Sequence, residues 1–292
     1  ELSTWRTIGS TLANMVIGVA TPMVAYVVVD GKTVMSGSRM TIIAGVFSIC
    51  AILCYIVCFK LTRERVEVPA SSQKVSASAI FKSIFTNRAL LGIIVAAIFV
   101  LLSQLTVMSL AGYVYPNVYG SAAAQSTASL LGTVVMLIVC APFASKLAAK
   151  FGKKELAVAS SICSALVWLV CLIWRPASVW GFVACYILAN IGMGFFNTII
   201  WAMITDVIDD AEVRSGIRED GTIYSVYSFA RKLGQAFSSG LVGALLGIIG
   251  YTEATAFDPA VTRGIFNMAC IAPIIGFVCI VLALVFLYPL NK

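Results

Sequence analysis

Eight apolar, charge-poor runs of about twenty residues or more dominate the sequence and leave few folds open to it. They cover Ile8–Val29, Met40–Phe59, Ala89–Gly112, Ala122–Ser145, Leu156–Trp174, Val179–Thr205, Thr222–Ile249 and Gly264–Tyr288. At 1.5 Å rise per residue, about twenty residues cross the ~30 Å hydrocarbon core of a bilayer. Inside that core every backbone N–H and C=O must pair within the protein, which leaves helices or closed barrels. The runs are too long for barrel strands and show no strand-like alternation. The expected fold class is therefore all-α, a polytopic membrane protein with eight transmembrane helices.

Composition agrees: 60% of residues are hydrophobic and only 11% charged, with a mean hydropathy of +0.99, against roughly 45–50% apolar residues in ordinary soluble domains. The nine cysteines fall inside apolar runs, where a thiol behaves as a small hydrophobe, and there is no histidine to build a metal site with them. The net charge of +7 is not a nucleic-acid signal, because its distribution has a simpler cause. The sequence opens at Glu1 without methionine and its first run is too long for a cleavable signal, so an N-terminally truncated chain is expected.

Eight spans place both termini on one side, and the connecting segments then fall into two sets. One set holds fourteen Lys and Arg: Arg6, Lys60, Arg63, Arg65, Lys74, Lys82, Arg88, Lys146, Lys150, Lys153, Lys154, Arg214, Arg218 and Lys292. The other holds four, Lys32, Arg39, Arg175 and Arg263, while Arg231 and Lys232 lie within a span. Positive loops resist translocation, so both termini are expected in the cytoplasm of a cell membrane, inner or plasma, with Lys74 and Lys153 inside and Tyr115 and Ala177 outside. The long connection Lys60–Arg88 reads as a cytoplasmic linker ending in a short amphipathic helix at Ile80–Phe85. Two spans precede it and six follow, the division expected of two six-helix bundles if four helices preceded the chain.

Lys232 stands eleven residues beyond Gly221, about 16 Å into its span and close to the middle of the bilayer. A lysine at that depth needs a polar cavity or a carboxylate, so a functional role is the first expectation. The competing reading is that Lys232 or Arg231 snorkels to the surface, and Arg231 is expected to matter less. Tyr224, with Tyr227 or Ser228, and Lys232 fall at three- and four-residue spacings and suit a polyol-binding face; Asn190 and Asn197 add polar groups on the preceding span. Interhelical hydrogen bonding is the alternative for each of these. Gly240, Gly243 and Gly247 on the same span read as a close-packing stripe.

Between the sixth and seventh spans, Asp206, Asp209, Asp210, Glu212, Glu219 and Asp220 face only Arg214 and Arg218, a net charge of −4 on the side where positive charge is expected. Opposed carboxylates and arginines at a membrane edge can close a gate; a solvated charged loop is the alternative. A membrane-embedded Mg²⁺-dependent prenyl or phosphatidyl transferase would use such acids, but would normally need a second Asp-rich cluster, which the sequence lacks.

The stretch Asp206–Gly234 resembles the glycoside-pentoside-hexuronide:cation symporters, a branch of the major facilitator superfamily that includes the melibiose permease. Asp206, Asp209, Glu212, Gly216, Arg218, Asp220 and Gly221, then Tyr224-Ser225 and Lys232, follow that family's order, with Asp210 replacing a usual tyrosine. The resemblance implies a twelve-helix fold of which this chain holds helices V–XII. Residues 1–62 would be the last two helices of the N-terminal bundle, 63–88 the cytoplasmic linker and 89–292 the C-terminal bundle. It also implies symport of a small-molecule sugar or glycoside with Na⁺ or H⁺, no enzyme activity and no other cofactor. Arg6, Tyr227, Ser228 and Lys232 match sugar- or coupling-site positions, and Asn197 stands where the melibiose permease has a tryptophan. The family's cation-binding acids belong to earlier helices, so transport would require those helices from the full-length gene product; a non-transporting remnant is a further alternative.

Overall fold

A computed structural model describes residues 9–10, 12–13, 16–17, 24, 26–29, 32–35, 37–62, 87–215, 220–252 and 254–290. The chain divides into two compact units, Glu1–Lys74 and Val75–Lys292.

In the first unit, strands β1 (Tyr26–Val29) and β2 (Lys32–Met35) form an antiparallel hairpin in the register Tyr26↔Met35 to Val29↔Lys32. This corrects the reading of Ile8–Val29 as one span ending at Val29 and of the chain as free of strands. Tyr26–Val29 is β-branched in three of its four residues, and Asp30-Gly31 between the two segments is the strongest short-range hairpin signal. Most of Ile8–Val29 lies outside the described residues. Helix α1 (Gly37–Leu61) follows. It is apolar all round, Ile43 is its one buried residue, and Tyr55 and Phe59 are 78% and 85% exposed. Such a helix is stable in lipid rather than water.

The second unit is a helical bundle. It comprises α2 (Arg88–Tyr113), α3 (Ala122–Val135), α4 (Ala141–Phe151), α5 (Lys153–Trp174), α6 (Val179–Ser215), α7 (Asp220–Ile249) and α8 (Pro259–Leu282). Single π turns extend α2, α3 and α8. Asn87 caps α2, its side-chain oxygen accepting from the Leu90 N–H at 3.1 Å. Helix α2 is central, packed on α7 and α8; α5 packs on α6 and α8, and α3 on α6.

Small residues set these contacts, as expected where lipid removes the hydrophobic drive between helices. A Cβ on Gly234 of α7 would stand 2.8 Å from the Ile98 carbonyl oxygen of α2, and one on Gly276 of α8 would overlap the Ser103 hydroxyl of α2. Thr106 and Ser238 share a buried hydrogen bond of 3.4 Å across α2 and α7, and the Ser164 hydroxyl donates to the Ala189 carbonyl across α5 and α6 at 2.9 Å. By contrast, a Cβ on Gly240, Gly243 or Gly247 would meet nothing within 4 Å. Gly234 is therefore a close-packing glycine of α7, and the expected stripe meets no neighbour among the described residues.

Six described helices are long and apolar enough to cross a membrane, or seven if α3 and α4, bent by 48°, form one span. The chain is an all-α, multi-pass membrane protein apart from the hairpin.

Candidate functional site

Helix α7 separates its polar residues onto two faces. Tyr224, Ser228 and Lys232 follow one another at four-residue steps and are exposed; the Lys232 ammonium donates to the Gln235 amide oxygen at 3.1 Å. Tyr227 lies five residues before Lys232, about 140° away around the helix, and is buried at 1% exposure. The structure thus joins Tyr224, Ser228 and Lys232 and sets Tyr227 on the neighbouring face.

That neighbouring face holds a group the spacing argument missed. The Tyr227 ring meets Trp201 of α6 edge-on, with centroids 5.4 Å apart. The Arg231 guanidinium lies over both rings, 5.3 Å from the Trp201 centroid and 5.8 Å from that of Tyr227. Guanidinium over aromatic rings is a favourable, partly desolvated arrangement for a cation. Helices α6 and α7 touch each other far less than either touches its main partner, so these side chains span the space between them. Asn197 stands one turn before Trp201 on the same face of α6, half-buried. Asn190 instead donates to the Tyr186 carbonyl at 2.8 Å within its own helix. The legible signal was a tryptophan four residues after Asn197, together with an arginine four residues after Tyr227.

The ends of α5 and α6 carry the second constellation. Gly152, at φ 106°, turns the chain from α4 into α5, a backbone region that favours glycine. The turn puts Lys153 at the first position of α5, where its ammonium reaches both carboxylate oxygens of Asp206 at 2.6 and 2.8 Å. Lys154 donates to the Tyr288 carbonyl at 2.7 Å. These residues and Asp209 line a cavity of about 470 Å³. Further along α6, Arg214 pairs with Asp210 at 3.0 Å, one turn apart. Glu212 is half-buried on the same helix, and Asp220 opens α7, where a carboxylate suits the positive helix end. The described partner of Asp206 is thus a lysine on α5 rather than a loop arginine. Arg6, Arg218 and Lys74 lie outside the described residues.

All 292 residues match the family described as MFS/sugar transport protein. The chain belongs to that family. Relatives of this MFS/sugar transport chain include a Bacillus subtilis (strain 168) protein named as an uncharacterized symporter, 30% identical over the whole chain and 62% of that protein's length. A glucuronide carrier protein homolog of Escherichia coli (strain K12) is 27% identical over 84% of the chain and 53% of its own length. An isoprimeverose transporter of Lactiplantibacillus pentosus is 24% identical over the whole chain and 60% of its own length. The chain therefore spans about six tenths of the length of the curated relatives it matches. Membership in a transport family removes the transferase alternative.

Proposed function

We propose that this chain takes part in secondary active transport of a sugar or glycoside, coupled to Na⁺ or H⁺ and operating by alternating access. The observation that carries the reading is a set of polar and aromatic side chains, Tyr224, Ser228 and Lys232 on one face of α7, with Tyr227 on the face beside it and Asn197 on α6, inside the spans of a chain from a sugar-transport family. Hydroxyl hydrogen bonds and aromatic surface are what a polyol needs. A lysine at bilayer depth is costly without a task, and a role in a coupled transport site supplies one. The relatives' names include a glucuronide carrier protein homolog and an isoprimeverose transporter, which supports a sugar substrate.

In this reading residues 1–62 belong to a first six-helix bundle whose last helix is α1, 63–88 form a cytoplasmic linker and 89–292 the second bundle. Both termini are cytoplasmic, by the distribution of Lys and Arg, and the membrane is the cell's inner or plasma membrane. Arg6 is assigned to the sugar site by the family resemblance alone. Asp206, Asp209, Glu212, Arg214, Arg218 and Asp220, with Lys153, form the charged closure on the cytoplasmic side that opens as the bundles rock.

The test is uptake by membrane vesicles carrying the complete gene product under imposed Na⁺ or H⁺ gradients. Labelled sugar should accumulate above its external concentration with one of the two ions, and an ionophore should abolish the accumulation. Equal uptake with the gradient collapsed, or none of any sugar, contradicts the reading.

A further inference from the structure

Helices α5 and α8 share two features that lie away from the sugar site proposed above. The first is a cavity of about 410 Å³ where α5 ends and α8 begins. Its lining includes Arg175, Arg263, Thr262 and Tyr119 and no acidic side chain among the described residues; Asp258, exposed at the cap of α8, lies outside it. Arg175 closes α5 at φ 47°, a left-handed position that usually falls to glycine, and its guanidinium donates to the Asn267 amide oxygen of α8 at 3.2 Å. Arg263, one turn before Asn267, makes no hydrogen bond or ion pair among the described residues. Trp174 and Trp180 are exposed at the same end of the bundle, and exposed tryptophans mark the headgroup level of membrane proteins.

The second feature is an apolar groove of about 230 Å³ between the same two helices, walled by Ile162, Leu166 and Leu169 of α5 and by Ile274, Val278 and Leu282 of α8. Arg263, Asn267, Ile271, Ile274 and Val278 recur at four- and three-residue steps, so one face of α8 runs from the arginine cavity into the groove. At 1.5 Å per residue, Leu169 lies about 9 Å below Arg175 and Ile274 about 16 Å below Arg263. Half of the hydrocarbon core is about 15 Å, so an acyl chain anchored at the arginines reaches the groove and ends inside it. Packing runs from α7 to α2, α8, α5 and α6 in turn, and α6 and α7 meet least. The groove is therefore across the bundle from Trp201, Tyr227 and Lys232, and a first bundle that meets those residues leaves it facing lipid.

We propose that the cavity and the groove form one binding site for an anionic phospholipid: Arg175 and Arg263 hold the headgroup phosphate, and one acyl chain lies between α5 and α8. Phosphate oxygens match the planar guanidinium forks. A zwitterionic headgroup would bring its ammonium to two arginines with no acid in the lining to receive it. At the opposite ends of these helices Lys153 is committed to Asp206, and Asp209 lines the cavity there, so that end suits an anionic headgroup less. In the topology proposed above, the lipid belongs to the outer leaflet.

The experiment titrates the purified complete gene product, delipidated in detergent, with palmitoyl-oleoyl phosphatidylglycerol, palmitoyl-oleoyl phosphatidylcholine, dihexanoyl phosphatidylglycerol and inorganic phosphate. Native mass spectrometry reads bound lipid, and thermal denaturation reads stabilisation. The long-chain phosphatidylglycerol should bind about 10-fold or more tighter than the phosphatidylcholine or the short-chain form, and phosphate at the same concentration should not stabilise. Arg175→Gly, which suits the left-handed backbone, and Arg263→Gln should each weaken phosphatidylglycerol roughly 5-fold, the scale of one basic side chain near an anionic headgroup, and about 30-fold together. Lys154→Gln should leave binding unchanged. Equal binding of the two long-chain lipids, unchanged binding in the double variant, or a larger loss in Lys154→Gln overturns the proposal. Stabilisation by phosphate alone would make the cavity a free-anion site, and a stable dimer that excludes phosphatidylglycerol would give this face to a second copy; either result also overturns it. If a variant does not insert, the wild-type preference for the long-chain anionic lipid decides.

Discussion

The ammonium of Lys153 sits 2.6 and 2.8 Å from the two carboxylate oxygens of Asp206, tying the first residue of α5 to α6 across 53 positions of sequence. The pair borders a cavity and both side chains remain partly exposed, at 40% and 36%.

An ion pair that wet contributes little to stability by itself, about 0.2–1 kcal/mol. Lys153→Gln and Asp206→Asn are therefore each expected to change the melting temperature by only a few degrees. If the pair belongs to the cytoplasmic closure, either variant raises the accessibility of a cysteine introduced at Asp209, and the exchange Lys153→Asp with Asp206→Lys restores it. Unchanged labelling in both single variants would reduce the pair to a surface contact.

Gly234 and Gly243 differ in what faces them, and substitution should show it. Gly234→Val forces a side chain against the Ile98 carbonyl, where even a Cβ would stand at 2.8 Å. The expected cost is about 1–3 kcal/mol of bundle stability from overpacking. Gly243→Ala meets nothing within 4 Å and should be neutral or slightly stabilising as a better helix former. Thermal denaturation in detergent measures both; equal melting temperatures for the two variants would contradict the packing described for α2 and α7.

The charge distribution predicts that a cysteine replacing exposed Ala177 is labelled by an impermeant reagent in intact cells, whereas one replacing Lys153 is labelled only after permeabilisation. Tyr115, although expected on the outer side, is 1% exposed and would report burial rather than side. Labelling of the Lys153 position in intact cells would invert the topology.

Six of the eight expected spans were legible because the bilayer admits so few backbone solutions that hydrophobic length decides between them. The hairpin was not, because Val27–Val29 satisfies a hydropathy criterion as well as a strand criterion, and only Asp30-Gly31 distinguishes the two. On α7, four-residue steps put Tyr224, Ser228 and Lys232 on one exposed face, whereas a five-residue interval sent Tyr227 to Trp201 and Arg231. Partners on other helices could not be read locally. Lys153 and Asp206 look like unrelated loop charges until Gly152 turns α5 toward α6, and Gly234 looks like Gly240 until Ile98 is placed beside it.

If the charge inside α7 serves coupled sugar transport, Lys232 is the residue whose loss should show it. Lys232→Ala in the complete gene product should insert normally and fail to accumulate sugar under an imposed Na⁺ or H⁺ gradient, while Lys232→Arg retains expression. Initial uptake and steady-state accumulation in vesicles, normalised to protein in the membrane, provide the comparison. Loss of accumulation at normal membrane levels is the predicted result. Accumulation by Lys232→Ala at near wild-type rates would contradict the account and leave Lys232 a surface-seeking side chain.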